Sequence, residues 1–404
     1  MSSRPLENKL KSIIDEIYNS QNFKQFQTFF ENNYNQLLDL LCNITEIPSP
    51  TFFEDKKAEF VQKQMINYGL NNVSVDEQKN VIGRYLGSKS DKFIPIFAHI
   101  DTVFPIETEL KVKKNNEIYS CPGIGDNSSS VAVMLMIIQA WKSNNYLPLF
   151  DVIFVANACE EGLGDLKGIK VFLEEYAVKF YPDIPPSAVL ALDGTLGDIA
   201  HIGVGSKRIK LTIFSEGGHS WGNFGNENSI HILSKCISDI SSINVPSDPK
   251  TTFNVGLITG GTSINTIASI SSCFIDMRSI DQKELDNLEN TILNIIKLNV
   301  NKTKSKFEIE YVGSRPSAFL PINHPLINLA ILTGNKFDIK SFLRASSTDA
   351  NIPLSKGIPA LTIGAYDGSR AHTKDEYMVP SSLRKGILYV SLLLMSIIMW
   401  IEKN

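Results

Sequence analysis

The chain has 404 residues, of which 43% are hydrophobic and 20% charged, with a formal net charge of −4 at pH 7. That length allows about two or three domains and a large core, and a slightly acidic chain with no long basic run is not a generic nucleic-acid binder. Five scattered cysteines (Cys42, Cys121, Cys159, Cys236 and Cys273) are odd in number and lack any CxxC spacing. They read as reduced thiols of a cytoplasmic protein, not as a disulfide framework or a thiolate zinc site.

The N-terminus is polar and shows no signal-peptide core. From residue 6 to 41 apolar side chains recur at helical spacing: Leu10, Ile13, Ile14 and Ile17, then Phe26, Phe29, Phe30, Leu37 and Leu41. This predicts two amphipathic helices. Pro48 and Pro50 end that section, and a further helix is expected over 54–68. Next come four apolar runs that read as buried strands, at 93–98, 151–157, 188–192 and 359–364, with helical stretches at 128–142 and 166–178. Such alternation predicts an α/β domain with a mainly parallel sheet covered on both faces. Near Ser206 the pattern changes. A strand at 207–215, a helix at 229–241, strands at 252–259 and 268–277, a helix at 282–298 and a strand at 306–312 give the order β-α-β-β-α-β, the ferredoxin-like arrangement. The expected division is therefore a first catalytic part at 1–206, with a helical extension at 1–45, an inserted lid domain at 207–313, and a second catalytic part at 314–404. The most apolar segment, 387–401, is short for a membrane span and contains Tyr389, Ser391 and Ser396. A buried terminal helix is expected there, and no membrane partner.

Chemistry gathers where the strands stop. The run Asp-Val-Ile-Phe-Val-Ala-Asn-Ala-Cys ends in Glu160, Glu161 and Gly162. In open α/β sheets sites lie beyond the carboxyl ends of the strands, and neighbouring acids in a loop can point different ways, one to a metal and one to a proton. His99 and Asp101 follow the strand at 93–98, Asp193 ends the strand at 188–192, Asp126 precedes a helix, and His372 lies in the loop Ser-Arg-Ala-His-Thr-Lys-Asp-Glu. Singly, each has an ordinary reading: a solvated acid, a hydrogen-bonded structural histidine, a helix N-cap. Together, two imidazoles and three or four carboxylates on one sheet edge suit a pair of divalent, zinc-like ions, with Asp101 placed to orient the His99 ring. The Gly-Ile-Gly before Asp126 lacks Rossmann and P-loop spacing, so phosphate binding is not expected.

The motifs HIDTVFP, GIGDNSSS, NACEEGLG, LDGT, GGHSW, GGTSINTIA, DMRS and AHTKDE stand in one order along the chain. In that order the sequence resembles the dinuclear-zinc exopeptidases and amidohydrolases, the family of peptidase T, carboxypeptidase G, aminoacylase and succinyl-diaminopimelate desuccinylase, from about Leu38 to the C-terminus. The resemblance is greatest to peptidase T-like members. It implies that His99 and Asp193 hold one metal, Glu161 and His372 the other, and Asp126 both, with Asp101 supporting His99 and Glu160 as general base. It implies a cis peptide bond after Asp126. His219, in Gly-Gly-His-Ser-Trp, corresponds to the lid histidine that stabilises the oxyanion, with a turn histidine as the plainer alternative. Asn265 and Arg278 become candidate substrate contacts, although Arg278 also reads as an ion-pair partner of Asp276 or Asp281. Relatives often carry Asp-Asp-Lys or Asp-Met-Lys where this chain has Asp126-Asn127-Ser128, so substrate preference does not transfer.

The resemblance thus implies metal-assisted hydrolysis of an amide in a short peptide, with two divalent ions, zinc first and manganese or cobalt next. It also implies a hinge between metal-bearing core and lid, and a homodimer through the inserted domain. An N-acyl amino acid amidohydrolase would share the machinery. A non-catalytic metal- or peptide-binding relative would not need Glu160 beside Glu161.

Overall fold

Four apolar runs form the centre of the sheet because every side chain in their middles is buried, on both faces. All eight residues of Phe150–Asn157 are buried, as are the last seven of Lys89–His99 and all five of Ala360–Gly364. Continuous burial of this kind belongs to parallel strands covered on both sides. In the computed structural model, which describes residues 4–70, 72–115 and 117–404, the parallel order is Phe150–Asn157, Lys89–His99, Val189–Leu196, Ala360–Gly364. The α/β reading with a mainly parallel sheet holds. Two antiparallel strands, Val81–Tyr85 and Val73–Val75, extend one edge and were not anticipated. Gly83 interrupts the first, and the second has only three residues, none of them buried, so neither carries a clear strand pattern.

The chain divides into two units, one of Met1–His201 with Phe319–Asn404 and one of Ile202–Ala318. In the first, helix Ser130–Ser143 is buried without a break from Ser130 to Ile138 and packs on strands Lys89–His99 and Val189–Leu196. Helix Ser382–Glu402 is apolar and long enough to cross a membrane, but 72% of its most apolar window is buried among the helices around it. Its neighbours are Arg4–Tyr18, Gln21–Asn32, Ser130–Ser143 and Pro325–Asn335. It is a core helix, as its two interior serines imply.

The N-terminal section corrects the sequence reading. It holds three helices, not two: Arg4–Tyr18, Gln21–Asn32 and Tyr34–Thr45. Ser20 caps the second, its Oγ accepting the Phe23 N–H at 3.2 Å. Asn33 ends it, its backbone N–H and side-chain amide both donating to the Phe29 carbonyl. The apolar period runs on across Asn33, which hides that break from pattern reading alone.

The second unit follows from alternation. Ile209, Leu211 and Ile213 on strand Gly205–Phe214 and Cys273, Ile275 and Met277 on Ile270–Ser279 face one side, where helices Ser229–Ser241 and Gln282–Val300 bring Leu233, Cys236, Leu285, Leu288 and Ile292. The antiparallel order is Thr251–Gly260, Ile270–Ser279, Gly205–Phe214, Lys306–Arg315, the ferredoxin-like arrangement. All five cysteines are buried and unpaired.

Gly386, in the C-terminal helix, lies against backbone: a β-carbon there would stand 1.7 Å from the Ala365 carbonyl oxygen. Gly386→Ala is expected to destabilise by about 1–3 kcal/mol through overpacking, read as a lower urea midpoint. An unchanged midpoint would mean that this helix does not seat against the strand end.

Candidate metal centre

Strand register builds the site. His99 pairs with Asn157, and Phe97 with Ala191, so the parallel register brings the ends of three strands, bearing His99, Asn157 and Asp193, to one edge of the sheet. Glu160 and Glu161 follow Asn157 by three and four residues, past the end of their strand. Asp126 comes from the loop that opens into helix Ser130–Ser143, and the Asp126–Asn127 peptide bond is cis. His372 comes from the loop after Asp367–Ser369, with a left-handed backbone at both Arg370 and His372.

These side chains converge. Nε2 of His99 lies 3.1 Å from Asp126 Oδ1, and Nε2 of His372 lies 3.0 Å from Asp126 Oδ2 and 2.9 Å from Glu161 Oε1. Donor atoms of His99, Asp126 and Asp193 fall within 4.8 Å of one another, and so do those of Asp126, Glu161 and His372; a third such group is His99, Glu160 and Glu161. Asp126 belongs to two of the three.

Electrostatics show what the cluster lacks. Burial opposes charge on His99, but the Asp101 and Asp126 carboxylates outweigh it and raise the imidazole well above its ordinary value. Asp126 and Glu161 lift His372 to about 11. Burial, then the Asp126 charge, pushes Asp193 up to about 7, while the two imidazoles overcome burial to hold Asp126 well below the usual carboxylate range. The site thus draws positive charge inward from any group able to carry it. Asp126 Oδ1 is buried and makes no well-formed hydrogen bond, although His99 Nε2 is close. Nδ1 of His99 lies 3.1 Å from the Asp101 carbonyl oxygen, which can only accept, so Nδ1 carries a proton and Nε2 is the nitrogen turned to the cluster. Convergent nitrogen and oxygen donors around a buried carboxylate oxygen suit a divalent cation.

Other buried carboxylates grip the backbone. Asp101, fully buried, accepts the Glu160 N–H at 3.0 Å, the Glu161 N–H at 2.9 Å and the Thr51 hydroxyl at 2.9 Å. Burial pushes its carboxyl up, and His99 with the two amides brings it below the ordinary value. Glu54 accepts the Phe52 and Cys159 amides, and Asp349 accepts the Asn157 side-chain amide at 2.8 Å. Glu376 accepts three amides from the Asp126 loop. Sequence reading missed Glu54 and Glu376 as individual contributors, whereas Asp349 lies in the loop Ser347-Thr348-Asp349-Ala350-Asn351, which resembles a family loop near the site and whose role the sequence left open. Glu376 was in plain view, four residues after His372 in the quoted motif.

His219, Asn265 and Arg278 belong to the second unit. His219 is exposed, pairs with Thr266 across a two-residue ladder, and its Nδ1 accepts the Trp221 and Gly222 amides. Asn265 is its neighbour, its carbonyl accepting the Ser220 N–H and its side chain the Ser263 hydroxyl. Arg278 Nε donates to Asp276 Oδ2 at 2.7 Å, so the ion pair that the sequence allowed is formed.

The model of peptidase family M20/M25/M40 matches residues 96–396. The chain is 25% identical to the succinyl-diaminopimelate desuccinylase of Corynebacterium glutamicum over 347 residues, spanning 83% of this chain and 90% of that one. Among solved structures, the aminopeptidase PepT of Bacillus cereus is similar with a TM-score of 0.73 at 20% identity, over 90% of this chain and 99% of PepT. The dipeptidase Dug1p of Saccharomyces cerevisiae reaches 0.73 at 13% identity, over 93% and 98%. The resemblance carried by the ordered motifs therefore stands: the chain belongs to peptidase family M20/M25/M40, and it is a hydrolase.

Proposed function

We propose that the chain hydrolyses amide bonds in short peptides, using two divalent cations held around Asp126. One observation carries this reading: a single carboxylate turns one oxygen to His99 and the other to His372. His99, Asp126 and Asp193 would hold one ion, and Asp126, Glu161 and His372 the other. Zinc is the first choice for this donor set, with manganese and cobalt next. Such ions, when bound, lower the pKa of an adjacent water toward about 7 and polarise a carbonyl.

Glu160 accepts the proton of the attacking water and returns it to the leaving amine. Its side chain is only 5% exposed and its backbone is tied to Asp101, so it is held in place before substrate arrives. Asp101 also fixes the His99 tautomer. His219 is the proposed donor to the oxyanion. Asn265 and Arg278 are the proposed substrate contacts; the pair with Asp276 uses Arg278 Nε, and the outer guanidinium edge suits a carboxylate. A homodimer through the second unit is part of the proposal, supported by the edge strand Thr251–Gly260, whose last five residues are exposed, Leu257 and Ile258 among them. A cytoplasmic setting fits the five free thiols.

A second reading, hydrolysis of N-acyl amino acids, is favoured by the desuccinylase relative. Turnover of a panel of di- and tripeptides beside N-acetyl and N-succinyl amino acids separates the two, and activity on the acyl compounds alone would displace the peptidase reading.

Glu160→Gln is expected to lower kcat by about 100- to 10,000-fold while metal content, read by elemental analysis, stays at the wild-type level. Metal loss with the activity would move Glu160 from proton transfer to metal binding. Chelation is expected to abolish turnover and to lower Tm, because an ion that binds only the folded chain stabilises it. Readdition of zinc, manganese or cobalt restores both, and a chelated protein of full activity would refute the metal reading.

A further inference from the structure

Glu376 is a carboxylate with 1% exposure, sunk beneath the loop that carries Asp126. Its Oε2 accepts the Gly123 N–H at 2.7 Å, and its Oε1 accepts the Gly125 N–H at 2.9 Å and the Asp126 N–H at 2.8 Å. Its carbonyl oxygen takes the Cys121 N–H at 3.1 Å, so backbone and side chain grip the same loop. Upstream the chain is folded tightly: the Glu376 N–H donates to the Thr373 carbonyl, and the Thr373 N–H to the Arg370 carbonyl. His372 lies inside this turn. One short segment therefore presents two groups to Asp126, an imidazole at its carboxylate and a carboxylate at its backbone N–H.

The geometry carries the role of this side chain: three N–H groups of one loop converge on its two oxygens. Three converging N–H groups need acceptors at both oxygens, and a carboxylate offers acceptors alone. The Asp126 side chain leaves the same residue whose N–H is bound, so a shift of the loop carries the carboxylate with it. We propose that Glu376 is a positioning residue for the cation site: it fixes the 123–126 loop so that the two Asp126 oxygens face His99 and His372. This rests on the metal reading above.

The test compares wild type with Glu376→Gln, which keeps the shape but turns an amide NH2 toward a backbone N–H, and with Glu376→Asp, which is too short to reach all three. Leu393→Ala, fully buried in the C-terminal helix, is the control for stability lost elsewhere. Zinc affinity is read by competition with a chromophoric chelator, and coordination by the visible absorption of the cobalt(II) form. Both Glu376 variants should bind zinc about 10- to 100-fold more weakly and show an altered cobalt spectrum. Leu393→Ala should lose Tm and keep wild-type affinity and spectrum. Glu376 variants within twofold of wild type in affinity, or matched by Leu393→Ala, overturn the inference while leaving the metal reading intact. Wild type that binds no divalent ion overturns the metal reading, and this inference with it. In the wild-type chain the Gly123, Gly125 and Asp126 amides should exchange hydrogen slowly; exchange at the rate of free amides overturns the inference whether or not the variants fold.

Discussion

Like charges crowded into a dry place set the terms for the first unit. Asp101, Asp126, Glu160, Glu161, Asp193, Asp349 and Glu376 gather at one sheet edge around two imidazoles. A buried carboxylate is costly unless something compensates it. Compensation takes several forms here. Asp101 and Glu376 are met by backbone amides, Asp349 by the Asn157 amide, and Asp126 and Glu161 by imidazoles. The compensation is incomplete: burial, then the Asp126 charge, raises the Asp193 carboxyl to about 7, and burial raises that of Glu376 to about 7 despite its three amides. The resulting deficit of positive charge is a property of this chain's own side chains, independent of which ion relieves it.

The same crowding makes displacement costly around the site. A donor displaced from its amide or imidazole would face its neighbours uncompensated. The loops bearing Glu160–Glu161 and Asp126 are each tied down by a buried carboxylate, one by Asp101 and the other by Glu376. In each case the grip falls on backbone N–H groups, which leaves the side-chain oxygens of Glu160, Glu161 and Asp126 to face inward.

Much of this was legible in the sequence, for an identifiable reason. Continuous apolar runs mark strands buried on both faces, and a histidine or acid directly after such a run falls at the sheet edge where sites form, so that several of them together outweigh the ordinary reading each has singly. His99, Glu160, Glu161 and Asp193 all announce themselves in this way. Glu376 does not. In Thr-Lys-Asp-Glu it looks no different from Asp375, which is exposed, and only a contact with a loop some 250 positions earlier distinguishes the two. Glu54 is hidden for the same cause, since its partner Cys159 is distant in sequence. The third N-terminal helix escaped because its boundary is a side-chain amide at Asn33, which leaves the apolar period intact. In the second unit, strands alternate cleanly because one face is covered and the other is not, so the period itself carries the topology.

Chain order adds a temporal consequence. His99, Asp126, Glu161 and Asp193 all precede the second unit in sequence, whereas His372 and Glu376 follow it and lie near the last helix. A ribosome adds residues from the N-terminus onward, so a growing polypeptide offers an unfinished donor set until His372 has been added. The loop that delivers His372 therefore completes the cluster, and a molecule cut short before it lacks one imidazole and the carboxylate bound to the Asp126 N–H.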